Sequence, residues 1–207
     1  MRVRQWTSII LLGAALGASV LAPGLAQADE AAQARARKII GGSCFLCHGT
    51  DGESASEVFP RLAAQNADYI AKQLEQFKSG ARKSTAMASM VTNLAPEDMQ
   101  ALGQFYASRP PHQEAAKDAP LAAVGQYLYH QGNKYSGVPA CATCHGKAGA
   151  GSDSLPRLAG QHAAYLESQL KLFNKRERTN DNAVMHTVAE KMTPLEMAAV
   201  SEYLSGK

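Results

Sequence analysis

Beyond Leu21 the chain has no apolar run long enough to cross a bilayer, no large excess of charge and no cysteine outside two short motifs. Each shortage removes a class of function. Lys and Arg number 21 against 18 Asp and Glu, and Arg2 and Arg4 lie in the N-terminal leader described below. The remainder is left near +1, which gives no case for nucleic acid binding or for a polybasic membrane anchor. Aromatic residues make up 6% of the chain. Ala-rich stretches without alternating β-branched runs point to short helices rather than strands.

What is present is a motif that occurs twice. Cys44-Phe45-Leu46-Cys47-His48-Gly49 returns as Cys141-Ala142-Thr143-Cys144-His145-Gly146, so both cysteine pairs belong to a C-x-x-C-H element. That spacing reads as covalent c-type haem attachment. Two thiols three residues apart can each add to a haem vinyl group, and the next imidazole then falls beneath the iron. The other readings are a shared Cys₄ zinc site, redox dithiols or disulfides. None of these explains a histidine directly after both pairs.

Arg2 and Arg4 precede the apolar run Ile9 to Leu21, and Ala26-Gln27-Ala28 is a small-residue cleavage site. Residues 1–28 therefore read as a secretory signal, the rival being a retained anchor. Export places the chain in the periplasm, where c-type haem is attached and thiols are otherwise oxidised.

The remainder divides by duplication. Phe59-Pro60-Arg61-Leu62-Ala63-Ala64-Gln65 answers Leu155-Pro156-Arg157-Leu158-Ala159-Gly160-Gln161. Ile70, Leu74 and Phe77 form one apolar helix face, repeated as Leu166, Leu170 and Phe173. A closing helix ends each copy. Thr193-Pro194-Leu195-Glu196 predicts a capped start, and Ala95-Pro96-Glu97-Asp98 is its twin without the hydroxyl. Further helices are expected over Ala31–Ile40 and about Leu121–His130. The polar, proline-bounded segment 108–120 reads as a linker between domains 29–107 and 121–207. Domains so small have marginal apolar cores, so a porphyrin body would be structural as well as functional.

His48 and His145 give each iron one ligand. Met87 and Met185 each stand nine residues before the proline of a closing helix, Pro96 and Pro194. They are the expected second axial ligands, and a thioether there raises the potential. Pro60 and Pro156 lie where a carbonyl would accept from the histidine's other nitrogen. Arg61, Arg157, Tyr69 and Tyr165 are candidates for the haem propionates. His112, His130, His162 and His186 read as solvated surface histidines.

With C-x-x-C-H-G, [FL]-P-R-L-A-[AG]-Q, a loop methionine and a closing helix all present twice, the chain resembles the dihaem cytochromes of the cytochrome c4 family over essentially its whole mature length. The resemblance implies an all-α protein of two tandem class I cytochrome c domains related by internal duplication and pseudo-twofold symmetry. It also implies two covalent haem c groups, on Cys44 and Cys47 and on Cys141 and Cys144, with axial ligands His48, Met87, His145 and Met185. The expected role is periplasmic electron transfer from a quinol-oxidising complex (a quinol-cytochrome c reductase) to a terminal oxidase, soluble or peripheral to the membrane. The alternative is an enzyme or haem subunit, such as a peroxidase or a sulfur-compound dehydrogenase.

Overall fold

A computed structural model describes the backbone of residues 23–207 and the side chains of residues 30–207. Most of the leader expected over 1–28 lies outside the described residues. The described residues contain no strand, only an isolated bridge between Asn133 and Val138. No described helix is long and apolar enough to cross a membrane.

The first half runs α1 (Pro23–Ile39), a π-helical turn (Ile40–Cys44), α2 (Phe45–His48), α3 (Ala67–Ser79), α4 (Thr85–Val91) and α5 (Pro96–Ala107). The second runs α6 (Ala119–Gln131), α7 (Ala142–His145), α8 (Ala163–Asn174), α9 (Val184–Ala189) and α10 (Pro194–Ser205). In each, the closing helix is the hub: α5 packs on α1 and α3, and α10 packs on α6 and α8.

Two separate apolar clusters result. Ala36, Ile40, Ile70, Ala101, Leu102, Phe105 and Tyr106 make the first. Tyr129, Val138, Leu166, Phe173, Met192, Met197, Val200, Tyr203 and Leu204 carry the second, together with Ala189. The expected stripes of both closing helices are buried, each large side chain contributing about 1.5–3 kcal/mol. Close helix approach depends on Gly125, where a Cβ would stand 1.9 Å from Ala199 O. The expected apolar faces lie on α3 and α8, although Phe77 is only half-buried whereas Phe173 is buried.

The two halves meet along loops that precede α3 and α8, and the contacts are reciprocal. Gln161 brackets Arg61, accepting from its N–H and donating to its carbonyl, both at 2.8 Å. Gln65 does the same to Arg157, at 2.7 and 2.8 Å. Residues one position on keep the exchange with different chemistry. The Asn66 amide donates to Ala150, Ser152 and Leu155 carbonyls, while His162 Nε2 is 2.9 Å from Ser54 O. His162 is 7% exposed. The expectation of a solvated histidine there is wrong, because the neighbouring half covers it.

The irregular backbone between α5 and α6 is tied down rather than free. His112 sits between Glu53 (2.9 Å) and Glu114 (3.1 Å), Lys117 pairs with Glu57, and Asp118 N–H donates to Glu202 at 2.8 Å.

Candidate haem sites and the interface between them

Each C-x-x-C-H element forms a single helical turn, α2 or α7, led by its first cysteine. A glycine ends each turn at positive φ, 72° for Gly49 and 76° for Gly146. A side chain at Gly49 would also strike Glu53 O at 2.5 Å. The motif's closing glycine is therefore required by backbone geometry, which lets the chain turn sharply away from the histidine.

His48 and His145 are both buried. His48 Nδ1 donates to Pro60 O at 2.9 Å and His145 Nδ1 to Pro156 O at 3.4 Å. Both contacts are those expected from the sequence. With the proton placed on Nδ1, Nε2 keeps its lone pair. Burial holds both imidazoles below the ordinary histidine pKa, against the opposing pull of the proline carbonyls. A neutral imidazole with a free, fixed Nε2 is the form that binds iron.

No disulfide joins the four cysteines. Burial raises the Cys44 thiol and pushes Cys141 up to about 11. No three His, Cys, Asp or Glu side chains converge as a metal cluster among the described residues. A shared Cys₄ zinc site therefore does not form, and Cys44 and Cys141, both raised by burial, are not the stabilised thiolates of a redox dithiol. The donor set fits haem c: two thiols and an imidazole that burial keeps neutral, on one turn in each half.

Met87 lies in α4, its amide donating to the capping hydroxyl of Ser84 at 3.3 Å. Met185 lies in α9, its amide donating to Asp181 Oδ2 at 2.5 Å. Both are half-buried at the start of a short helix packed on α3 or α8. The competing methionines are placed otherwise. Met90 is 49% exposed, Met192 belongs to the second apolar cluster, and Met99 and Met197 are buried in the closing helices.

Arg61, Arg157, Tyr69 and Tyr165 have other partners. Arg61 donates to Gly160 O and pairs with Glu53 and Glu114, while Arg157 donates to Ala159 O. The Tyr165 hydroxyl accepts from Arg82 at 2.9 Å and the Tyr69 hydroxyl from Arg178 at 3.0 Å. Sequence reasoning passed over Arg82 and Arg178. Both are buried, lie over Phe77 and Phe173 of their own halves, and are bonded to Gln73 and Gln169. Two buried guanidiniums thus meet neutral partners across a pseudo-twofold axis. Their charge makes the Tyr165 hydroxyl more acidic than usual even though burial works the other way. The signal was available: Arg82 and Arg178 share the register of Gln73 and Gln169.

His130 Nε2 is 3.0 Å from the Tyr203 hydroxyl and His186 Nδ1 is 2.9 Å from Phe173 O, so these too are structural rather than solvated.

The comparisons with known proteins agree with this geometry. Residues 31–105 match the family described as cytochrome c oxidase, cbb3-type, subunit III, and residues 122–206 match the family described as cytochrome c. A cytochrome c4 of Thiocapsa roseopersicina is 42% identical over 80% of this chain and 87% of its own length. A thiosulfate dehydrogenase electron acceptor of Thiomonas intermedia is 36% identical over 80% of this chain and 78% of its own. The crystal structure of reduced recombinant cytochrome c4 from Pseudomonas stutzeri superposes with a TM-score of 0.79 at 35% identity, covering 86% of this chain and 97% of that one. The duplicated fold, the paired C-x-x-C-H turns and these relatives place the chain in the cytochrome c4 family, electron-transfer proteins with two covalently bound haem c groups.

Proposed function

We propose that the chain is a periplasmic electron carrier that accepts electrons from a quinol-oxidising complex and delivers them to a terminal oxidase. Haem c supplies one-electron exchange between ferric and ferrous iron. The rest is the work of the protein's own residues. Cys44 and Cys47 hold one group and Cys141 and Cys144 the other, while His48 with Met87, and His145 with Met185, supply nitrogen and sulfur donors to the two irons. A neutral sulfur donor favours the ferrous state, and burial of the imidazoles excludes water from the donor atoms.

The observation that carries this reading is that each half offers a second donor in the same place, a methionine at the start of a short helix beside α3 or α8. Six-coordinate irons suit electron transfer, whereas an enzyme needs an exchangeable position and acid-base groups around it. The bracketed contacts of Gln65 and Gln161 hold the halves in one relative position, so electrons pass between two fixed centres.

On this reading residues 1–28 are the export leader, and 29–107 and 121–207 are the two haem domains joined by 108–120. The name of the Thiomonas relative favours a second donor class, an enzyme that oxidises a sulfur compound, with this chain as its acceptor. The test is a spectroelectrochemical titration with and without carbon monoxide. Two high-potential one-electron steps insensitive to carbon monoxide are expected. Rapid carbon monoxide binding by the native reduced protein, or peroxide turnover above that of free haem, would overturn the carrier reading.

A further inference from the structure

The peptide group that orients each histidine is held from the opposite half of the molecule. Pro60 C=O, which accepts from His48 Nδ1 at 2.9 Å, belongs to the same amide as the Arg61 N–H, which donates to Gln161 Oε1 at 2.8 Å. Pro156 C=O, which faces His145 Nδ1, shares its amide with the Arg157 N–H, which donates to Gln65 Oε1 at 2.7 Å. Both glutamines are buried, and each is further fixed by accepting from the amide that follows it, Asn66 or His162, at 3.0 Å.

We propose that Gln161 tunes the haem iron bound by His48 and that Gln65 tunes the iron bound by His145, each acting through the other half's proline–arginine peptide. Both are positioning residues. An amide whose N–H is bonded carries more negative charge on its oxygen, so hydrogen bonds in series strengthen one another. A stronger acceptor at Pro60 O draws the Nδ1 proton further from the imidazole. The ring then becomes a better electron donor, which stabilises ferric iron and lowers the potential. Removing Gln161 therefore raises the potential on the His48 side alone. Strengthening of roughly 10–30% of an ordinary net hydrogen bond corresponds to at most about a twofold change in the equilibrium for sharing one electron between the irons.

The inference rests on His48 and His145 being the axial ligands, and the experiment separates the two. NMR of the reduced, diamagnetic holoprotein assigns the Nδ1–H resonance of each histidine. A ring bound to haem iron carries a large ring-current shift, and its absence would sink the ligand assignment rather than the tuning. Gln161→Ala is expected to move the His48 Nδ1–H upfield and to raise one potential in a redox titration, leaving His145 and the other potential in place. Gln65→Ala is expected to do the reverse. Gln161→Leu fills the same space should the alanine variant lose a haem. Gln161→Glu loses the donor to Arg61 O but offers the Arg61 N–H a charged, stronger acceptor, and is expected to move the His48 Nδ1–H downfield, opposite to the alanine variant. Equal shifts at both histidines would mean that the interface had merely loosened, and no shift would mean that the peptide transmits nothing; either result overturns the proposal.

Discussion

His48 reaches its proline carbonyl over 2.9 Å while His145 reaches its own over 3.4 Å, and the surroundings diverge in the same manner. The first motif presents Phe45 and Leu46, Leu46 being 72% exposed, where the second has Ala142 and Thr143. Chain arrives at the first cysteine through a π-helical turn, but at the second through a loop closed by the Asn133–Val138 bridge. What differs is the pair of residues between the cysteines and the approach to each motif, whereas the proposed donors match, as do the proline and glutamine contacts that support them. On the proposed ligand set, duplication has kept the chemistry that fixes the class of potential while leaving free some of the terms that adjust it.

The largest test removes one side of this comparison. Replacing Cys141 and Cys144 with alanine is expected to leave one covalent haem per chain in a haemochrome assay. The second apolar cluster should also lose helix content on mild heating, because a domain this small has little core beyond its porphyrin. Retention of two haems would defeat the attachment assignment.

Next in size is ligand exchange. Met87→His or Met185→His is expected to lower one potential by a sizeable part of the roughly 0.8 V that axial ligands span. Half of the ferric methionine-to-iron charge-transfer band should vanish in each. If Met90→Leu or Met192→Leu did this instead, the register to Pro96 and Pro194 would be the wrong guide. The same variants assign the native potentials. The shorter His48 bond predicts that the second haem is the higher in potential.

The proposed donors could be nominated from the sequence because each lies in a motif or at a fixed distance from a helix start. So could α3, α8 and both closing helices, whose apolar stripes repeat within one copy. What escaped were residues whose role exists only when the two copies meet. The His162 imidazole bonds across to Ser54 O of the other half, so it read as a surface group, and nothing within either copy marked the role of Arg82 or Arg178. Periodicity reports the face a helix turns to its own core. It does not report a loop covered by the other half, although a polar residue repeated in register, such as Gln73 with Gln169, is a usable sign.

A backbone comparison gives a smaller effect. Ala64 and Gly160 are equivalent, and both adopt positive φ, 55° and 76°. Only the glycine does so without strain. A Cβ on Gly160 would also stand 2.8 Å from His112 O. Gly160→Ala is expected to cost about 1–2 kcal/mol in denaturant unfolding, whereas Ala64→Gly should stabilise by about 0.5–1 kcal/mol, the relief of strain being partly offset by the freedom gained in the unfolded chain. Equal and opposite values would mean that the His112 contact adds nothing.

The smallest effect separates the two closing helices. Thr193 Oγ1 accepts from the Glu196 amide at 3.2 Å and Glu196 Oε2 accepts from the Thr193 amide at 2.8 Å, a complete reciprocal cap. In α5 only the return half exists, with Ala95 N–H donating to Asp98 Oδ2 at 2.7 Å. Thr193→Ala is expected to cost about 1 kcal/mol and Ala95→Ser to add a similar or smaller amount. The Glu196 arm also carries a pH signature. Burial works against its charged form, but donation from Asn133 and from the Thr193 amide and hydroxyl outweighs this and holds the carboxyl below its usual value. A carboxylate depressed in the folded state contributes fully above its unfolded pKa, about 4.3, and loses that contribution as the pH falls through the folded value. The stability difference between the native protein and Glu196→Gln should therefore be constant above about pH 5 and shrink below it. A difference that stayed constant down to pH 3 would show that Glu196 acts by packing, and the two closing helices would then differ by the threonine hydroxyl alone.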